Sequence, residues 1–430
     1  MNTLYKIDGN KLIINEGVTD LYYKDFNEDA SRMKTGLRGI EEIYLPDSVK
    51  FIHKFTFHNF RNLKNIKLSA SLLSIDDNAF NGCESLTEIN FPESLQSIGS
   101  DAFNMCHNLT EINLPNSLKT IRGGTFGNCF RLEQIKIPDS VVSIEHNAFY
   151  CCVNLTHIEF PDSIKQLSSF LFRGCTRLAE VRLPENLKEI REGVFEDCSS
   201  LKTLNIPNSV HSIGKGAFIR CSDLEEVRLP DKLGMLQEAV FQQCISLKNV
   251  YVNKSLDFID DYAFCGCEGV TVKIPAEADV HITKDAFKHT SNMMLEIGDR
   301  KECWGKLSPS YFKNPYPIQF LITPTYDNFI KIKDTEIKIK FALKYHSQDE
   351  RFKSYLKRYP DKVLDYAAKN ENIEAVDFII DNNLISKNQI DKCIEFVRKG
   401  NFEEMFVMLA KYKEEIGGYS KTSVHDRFDL

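Results

Sequence analysis

The sequence is short of most things that chemistry or membrane insertion would need. No run of about 18 apolar residues occurs, so no transmembrane helix is expected. The N-terminus, Met1-Asn2-Thr3-Leu4-Tyr5-Lys6-Ile7-Asp8, lacks a basic segment followed by an apolar stretch, and a secretory signal is not expected either. The last residues, Arg427-Phe428-Asp429-Leu430, carry no prenylation or anchor signal. Positive charge is scarce, with 54 Lys and Arg against 61 Asp and Glu and a net charge of −7. General nucleic-acid binders are usually basic, so nucleic acid is not an expected partner. There is no His-Glu-x-x-His, no phosphate-binding Gly-rich loop and no nucleophile elbow. His107 follows Cys106, but no other column cysteine is followed by histidine. These absences argue against an enzyme, a metal site or a bound cofactor.

What is present is a period. Phenylalanine recurs every 23 residues, from Phe57 through Phe80, Phe103 and so on without a slip to Phe287. Other columns keep the same register: Cys83, Cys106, Cys129 and their successors to Cys267, Leu86 to Leu247, and Pro92 to Pro230. A period in this range marks a leucine-rich solenoid. Within one coil, Ile-x-Leu or Ile-x-Phe reads as a short strand with one buried face. Proline ends that strand because it has no N–H to give the neighbouring coil. Pro-Asp-Ser or Pro-Asn-Ser is a turn, a second extended piece such as Val142-Ser143-Ile144 follows, and Ala-Phe-x-x-Cys-x-x-Leu suits a tight 3₁₀-like turn.

These residues resemble the BspA-like leucine-rich repeat family and its pattern L-x-x-I-x-L-P-x-S-[LV]-x-x-I-x-x-x-A-F-x-x-C, over about Ile40 to Phe287. The resemblance implies a curved right-handed solenoid used for protein binding, in a family with many surface adhesins. The register weakens at the ends: Phe60 and Thr290 stand where the cysteine belongs, Asn253 replaces proline, and the coil after Phe264 is one residue short.

The thirteen cysteines read as reduced, buried, small apolar residues, which fits a reducing compartment. Zinc would need four ligands in a tetrahedron, which a row of single thiols does not supply. Disulfides between stacked coils would need their Cβ atoms closer than parallel side chains allow.

The expected fold is therefore an α/β repeat: a leucine-rich-repeat solenoid of short strands and 3₁₀ or helical turns, followed by a small all-α ankyrin-like domain. Residues 1–45 are expected to form an N-terminal cap, with strands at Lys11–Ile14 and Thr19–Tyr22. Residues 46–290 form the solenoid, 291–335 a second cap and connection, and 336–430 the helical domain. There Ala367-Ala368-Lys369-Asn370 and Asn372-Ile373-Glu374 resemble the paired helices of an ankyrin repeat, with a weaker copy 29 residues on.

Function should sit where the repeat varies. Two outward columns flank the buried first-strand residue and together hold five acids and four bases. A mixed polar face suits a protein partner. The residues expected to bind it are Lys136, His157, Glu159, Glu180, Arg182, Glu226, Arg228 and Tyr251. The sequence thus reads as a monomeric cytoplasmic protein-interaction scaffold without cofactor. A cell-surface adhesin exported by an unusual route is the rival.

Overall fold

The computed structural model describes residues 4–27, residues 37–304 apart from 277, 279, 284, 291 and 299, and residues 329–415 apart from 331, 333–334, 371, 386 and 400–402. It divides into two compact units, residues 1–312 and 313–430.

The first unit is a solenoid. Every coil but the one at residues 203–205 carries a first-row strand like Glu88–Asn90, whose ends are exposed and whose middle is buried, and a second-row strand such as Ser97–Ile98. Strands of successive coils pair in parallel, as in Glu111↔Glu88 and Ser74↔Ser97. Phe57 and its ten successors at 23-residue steps are the largest fully buried side chains. Their rings stack along the axis with centroids 5.1 to 6.0 Å apart. Each ring buries apolar surface only because a coil lies on either side of it.

The third side of the coil solves a hydrogen-bonding problem by alternation. Bonds from residue i to i−3 are present as expected, for example Cys83 N–H to Phe80 O at 3.1 Å and Leu86 N–H to Cys83 O at 3.1 Å. Between them lie two columns of left-handed residues, two before and two after each phenylalanine, such as Asn78 and Gly82 or Asn147 and Cys151. The reversal of handedness prevents a continuous 3₁₀ helix. It turns alternate N–H groups along the solenoid axis, so that Phe55, Phe57 and Asn59 donate to Asp77, Ala79 and Asn81 of the next coil at 2.8 to 3.2 Å. Asparagine, aspartate and glycine fill many of these places because they tolerate this backbone.

The cysteine column belongs to the same scheme. Each phenylalanine carbonyl has two lone pairs. One accepts the N–H of its own coil's cysteine, and the other accepts the thiol of the next coil's: Cys106 Sγ lies 3.4 Å from Phe80 O and Cys244 Sγ 3.1 Å from Phe218 O. These thiols are therefore donors as well as packing atoms. Thr290 keeps the function, its hydroxyl donating to Phe264 O at 2.6 Å. Asn253 likewise compensates for the missing proline by donating to Pro230 O and Leu233 O. The twelve cysteines with described side chains are unpaired thiols.

Both ends of the first row are closed by antiparallel hairpins, Tyr5–Asp8 with Lys11–Ile14 and Met293–Ile297 with Arg300–Trp304. Lys11–Ile14 and Asp20–Leu21 are not partners of each other. They join the first and second rows, pairing with Glu42–Tyr44 and Phe51–Ile52. Phe26 tops the aromatic stack 5.3 Å from Phe57, so the N-terminal segment is itself a coil.

Among its described residues the second unit contains six helices: Thr335–Tyr345, Glu350–Arg358, Pro360–Asn370, Ile373–Asp381, Lys387–Lys399 and Glu403–Glu415. They pack as consecutive pairs. Asp349 and Asn372 cap their helices by accepting N–H bonds from Arg351 and Ala375, both at 2.8 Å. Asn383, in the left-handed region, ends another with Leu384 N–H on Ile379 O, the usual αL ending.

Candidate protein-binding surface

The first-row strands present the variable columns, and the structure places the candidate residues there in three separate hydrogen-bonded ladders. Lys136 lies in Gln134–Lys136, opposite Asn113. His157 and Glu159 lie opposite Glu180 and Arg182. Residues 203–205 form no strand, only a bridge from Thr203 to Glu226. Beyond it Glu226–Arg228, Asn249–Tyr251, Thr271–Ile274 and the closing hairpin make a continuous five-stranded sheet.

The two groups of candidates differ in how they are held. In the middle coils, Arg182 approaches Glu159 only to 3.8 Å, with side chains 80% and 69% exposed. A pair of that kind contributes less than about 1 kcal/mol. In the five-stranded sheet, Arg228 bonds Glu226 at 3.0 Å and lies over the Tyr251 ring at 3.8 Å. Lys273 covers Tyr251 at 4.6 Å, donates to its hydroxyl at 3.3 Å and reaches Glu296 at 3.9 Å. Tyr251 is thus held between two cations, each contact worth about 0.5–1 kcal/mol at an exposed site.

Lys273 and Glu296 were absent from the sequence-based set. Their coil is one residue short, so Lys273 stands 22 rather than 23 positions after Tyr251, its partner in the sheet. Following the column through that deletion would have found both. On the turn side a second charged cluster ties coils together. The buried Glu196 meets Arg173 at 3.2 Å and Arg220 at 2.9 Å. Hydrogen bonding to Asp197 raises the Arg220 pKa above its ordinary value. This cluster is internally neutralised and reads as structural.

Among the described residues no group of three or more His, Cys, Asp or Glu could hold a metal ion, and no helix is long and apolar enough to cross a membrane.

The stacked short strands, buried phenylalanine column and variable outward residues define a leucine-rich-repeat solenoid. The model of the BspA type leucine rich repeat region matches in six copies, over residues 37–152 and 142–271, and the chain belongs to that family. No curated protein matches it. Solved structures similar to it include a leucine rich cell surface protein from Faecalibacterium prausnitzii, 24% identical, covering 72% of this chain and 88% of that one, with a TM-score of 0.45. A leucine-rich repeat protein from Bacteroides ovatus is 24% identical over 68% and 97%, with a TM-score of 0.37. The pneumococcal vaccine antigen PcpA is 21% identical over 68% and 91%, with a TM-score of 0.46.

Proposed function

We propose that this protein is a non-catalytic binding scaffold that docks a protein partner on the outward face of its first-row strands. The observation that carries the reading is the row Glu226, Arg228, Tyr251, Lys273 and Glu296, preorganised on a continuous sheet. Arg and Tyr are the residue types most often found as interface hot spots. A side chain already fixed by its neighbours loses little entropy on binding. Lys136, His157, Glu159, Glu180 and Arg182 select the partner by charge more than they hold it.

The hairpin-closed ends act as caps, and the helical pairs act as an ankyrin-like second module that stays monomeric with the solenoid. Two versions differ in location. Free thiols suit a reducing cytosol. The surface version has its counterpart in the cell surface protein and vaccine antigen named above. Fractionation followed by affinity capture with the intact chain distinguishes these versions and supplies the partner. With the partner in hand, Arg228→Ala and Tyr251→Ala should each weaken binding by more than about 1 kcal/mol, with folding unchanged. Unchanged binding in the double variant, together with loss in Val407→Asp at the exposed apolar residue of the last helix, would move recognition to the helical unit.

A further inference from the structure

The second-row side of the solenoid carries a groove separate from the first-row face. Two depressions of 410 and 530 Å³ share Ser143 and Gln166 and so form one channel. It crosses the coils that contain Val142, Gln166, Glu189 and His211. At strand spacing this is about 15 Å, the length of roughly three linked pyranose rings. We propose that this channel binds an acidic oligosaccharide, independently of the protein-docking face.

Three observations carry the assignment. The first is an aromatic platform built at some cost. Phe170, partly exposed, has a left-handed backbone with φ of 58°, in a column that holds Asn78, Asp101, Asn147 and glycines in several coils and Phe55, Ala239 and Tyr262 in others. A bulky residue in that region is strained, and such strain persists where the surroundings enforce it. Here they do. Gly193 in the next coil leaves the space for the ring, since a Cβ there would meet it at 2.4 Å, and Arg173 lies over it at 5.6 Å. A ring fixed in a polar channel suits the C–H face of a sugar.

The second observation is a set of polar groups without partners. Among the described residues, the side chains of Ser143, His146, Asn147, Gln166 and Ser169 make no hydrogen bond within the protein. By contrast Ser168, alternating with them, is buried and donates to Ile144 O at 2.6 Å. A ligand dense in hydroxyls would satisfy these groups, whereas an apolar peptide side chain would find no pocket.

The third is charge. Glu189 is matched by Arg191 at 3.4 Å, and Glu145 accepts the Gly123 N–H at 2.9 Å. Lys165 and Lys188, on adjacent coils, form no ion pair among the described residues. The lining sets three cations, Lys165, Lys188 and Arg191, against two carboxylates, Glu145 and Glu189, a net charge of +1 on a chain whose net charge is −7, and an acidic sugar complements it.

The test is titration calorimetry of the intact chain with tetragalacturonate, with neutral maltotetraose and hexaglutamate as controls. Tetragalacturonate should bind, and more weakly at high salt. Phe170→Asn gives the column a residue it already uses at Asn78 and Asn147. It should leave the melting temperature unchanged or raised while weakening binding at least tenfold. Lys188→Ala, on the exposed rim, should weaken it at least threefold. No heat with tetragalacturonate, or parental affinity in both variants, overturns the proposal. Equal binding of maltotetraose removes the acidic class. Hexaglutamate binding as tightly as the sugar and indifferent to Phe170→Asn replaces the sugar with an acidic peptide.

Discussion

The solenoid and the helical unit are both stacks of repeated pieces, yet they satisfy their backbones in opposite ways. In the helical unit the N–H groups beyond each first turn find their acceptors within their own helix, and the caps at Asp349 and Asn372 are local too. In the solenoid the N–H groups of Phe57, Asn59 and their equivalents reach the following coil, and the thiols of the cysteine column reach the preceding one. A helical pair therefore carries its own hydrogen bonds. A single coil does not, and its stability is a property of neighbours. The difference teaches that a defect in the solenoid should spread along the stack, while one in the helical unit should stay near its origin.

Alkaline pH should expose that contrast most strongly. Burial pushes the column thiols up from their ordinary value of 9.0, Cys129 and Cys267 to about 12. A thiol whose folded pKa lies above its unfolded one stabilises the fold fully below the unfolded value. That stabilisation is lost as pH rises through the window between the two. For these thiols the window runs from 9.0 to about 12, with a loss on the order of 1 kcal/mol per thiol for each pH unit. Nine column cysteines, Cys83 through Cys267, are fully buried, so the effects accumulate. The helical unit has one described thiol, Cys393, raised by burial to about 11. Urea unfolding followed by hydrogen exchange should show the solenoid weakening steeply from pH 9 to 11 and the helical unit only slightly. Equal slopes in both units would break the comparison.

The next effect is a cavity. Phe172→Ala should cost about 3–5 kcal/mol and raise exchange rates in the coils around Phe149 and Phe195, whose rings stack on it at 5.6 and 5.9 Å. Phe378→Ala, also buried, should cost a similar amount but disturb only the helices that touch it. Exchange confined to one coil after Phe172→Ala would mean that the coils are more independent than their hydrogen bonds imply.

The strict phenylalanine period made the solenoid legible, because a buried ring between two coils admits few substitutes. The alternating strand residues were legible for the same reason. What stayed hidden was specified by conformation rather than by side-chain identity. The left-handed columns contain Met105, Cys151, Phe170 and Arg220 beside asparagine and glycine, so no single residue type marks them. Phe26 tops the stack at 31 residues before Phe57, outside the period, because the end coil is closed differently. Thr290 looked like a departure from the cysteine column, yet it makes the same bond. Of the candidate surface, Arg228 and Tyr251 were legible as variable outward positions. Their mutual contact and the role of Lys273 were not, since both depend on a sheet register that passes through a deletion.

The cysteine column allows the smallest and most selective test. If the thiol matters as a donor, shape alone does not decide which residue can replace it. Threonine and valine have nearly the same shape and differ in a hydroxyl. At an apolar buried position valine should be the better guest, because a hydroxyl without a partner is costly to bury. At Cys198 the acceptor is waiting: Phe172 O lies 3.3 Å from the thiol, as Phe264 O waits for the Thr290 hydroxyl. Cys198→Thr should therefore be more stable than Cys198→Val, by about 0.5–1.5 kcal/mol for one net hydrogen bond, read as the difference between their urea midpoints. The reverse order would mean that the column is chosen for size alone, and the bonding between coils would then rest on the backbone.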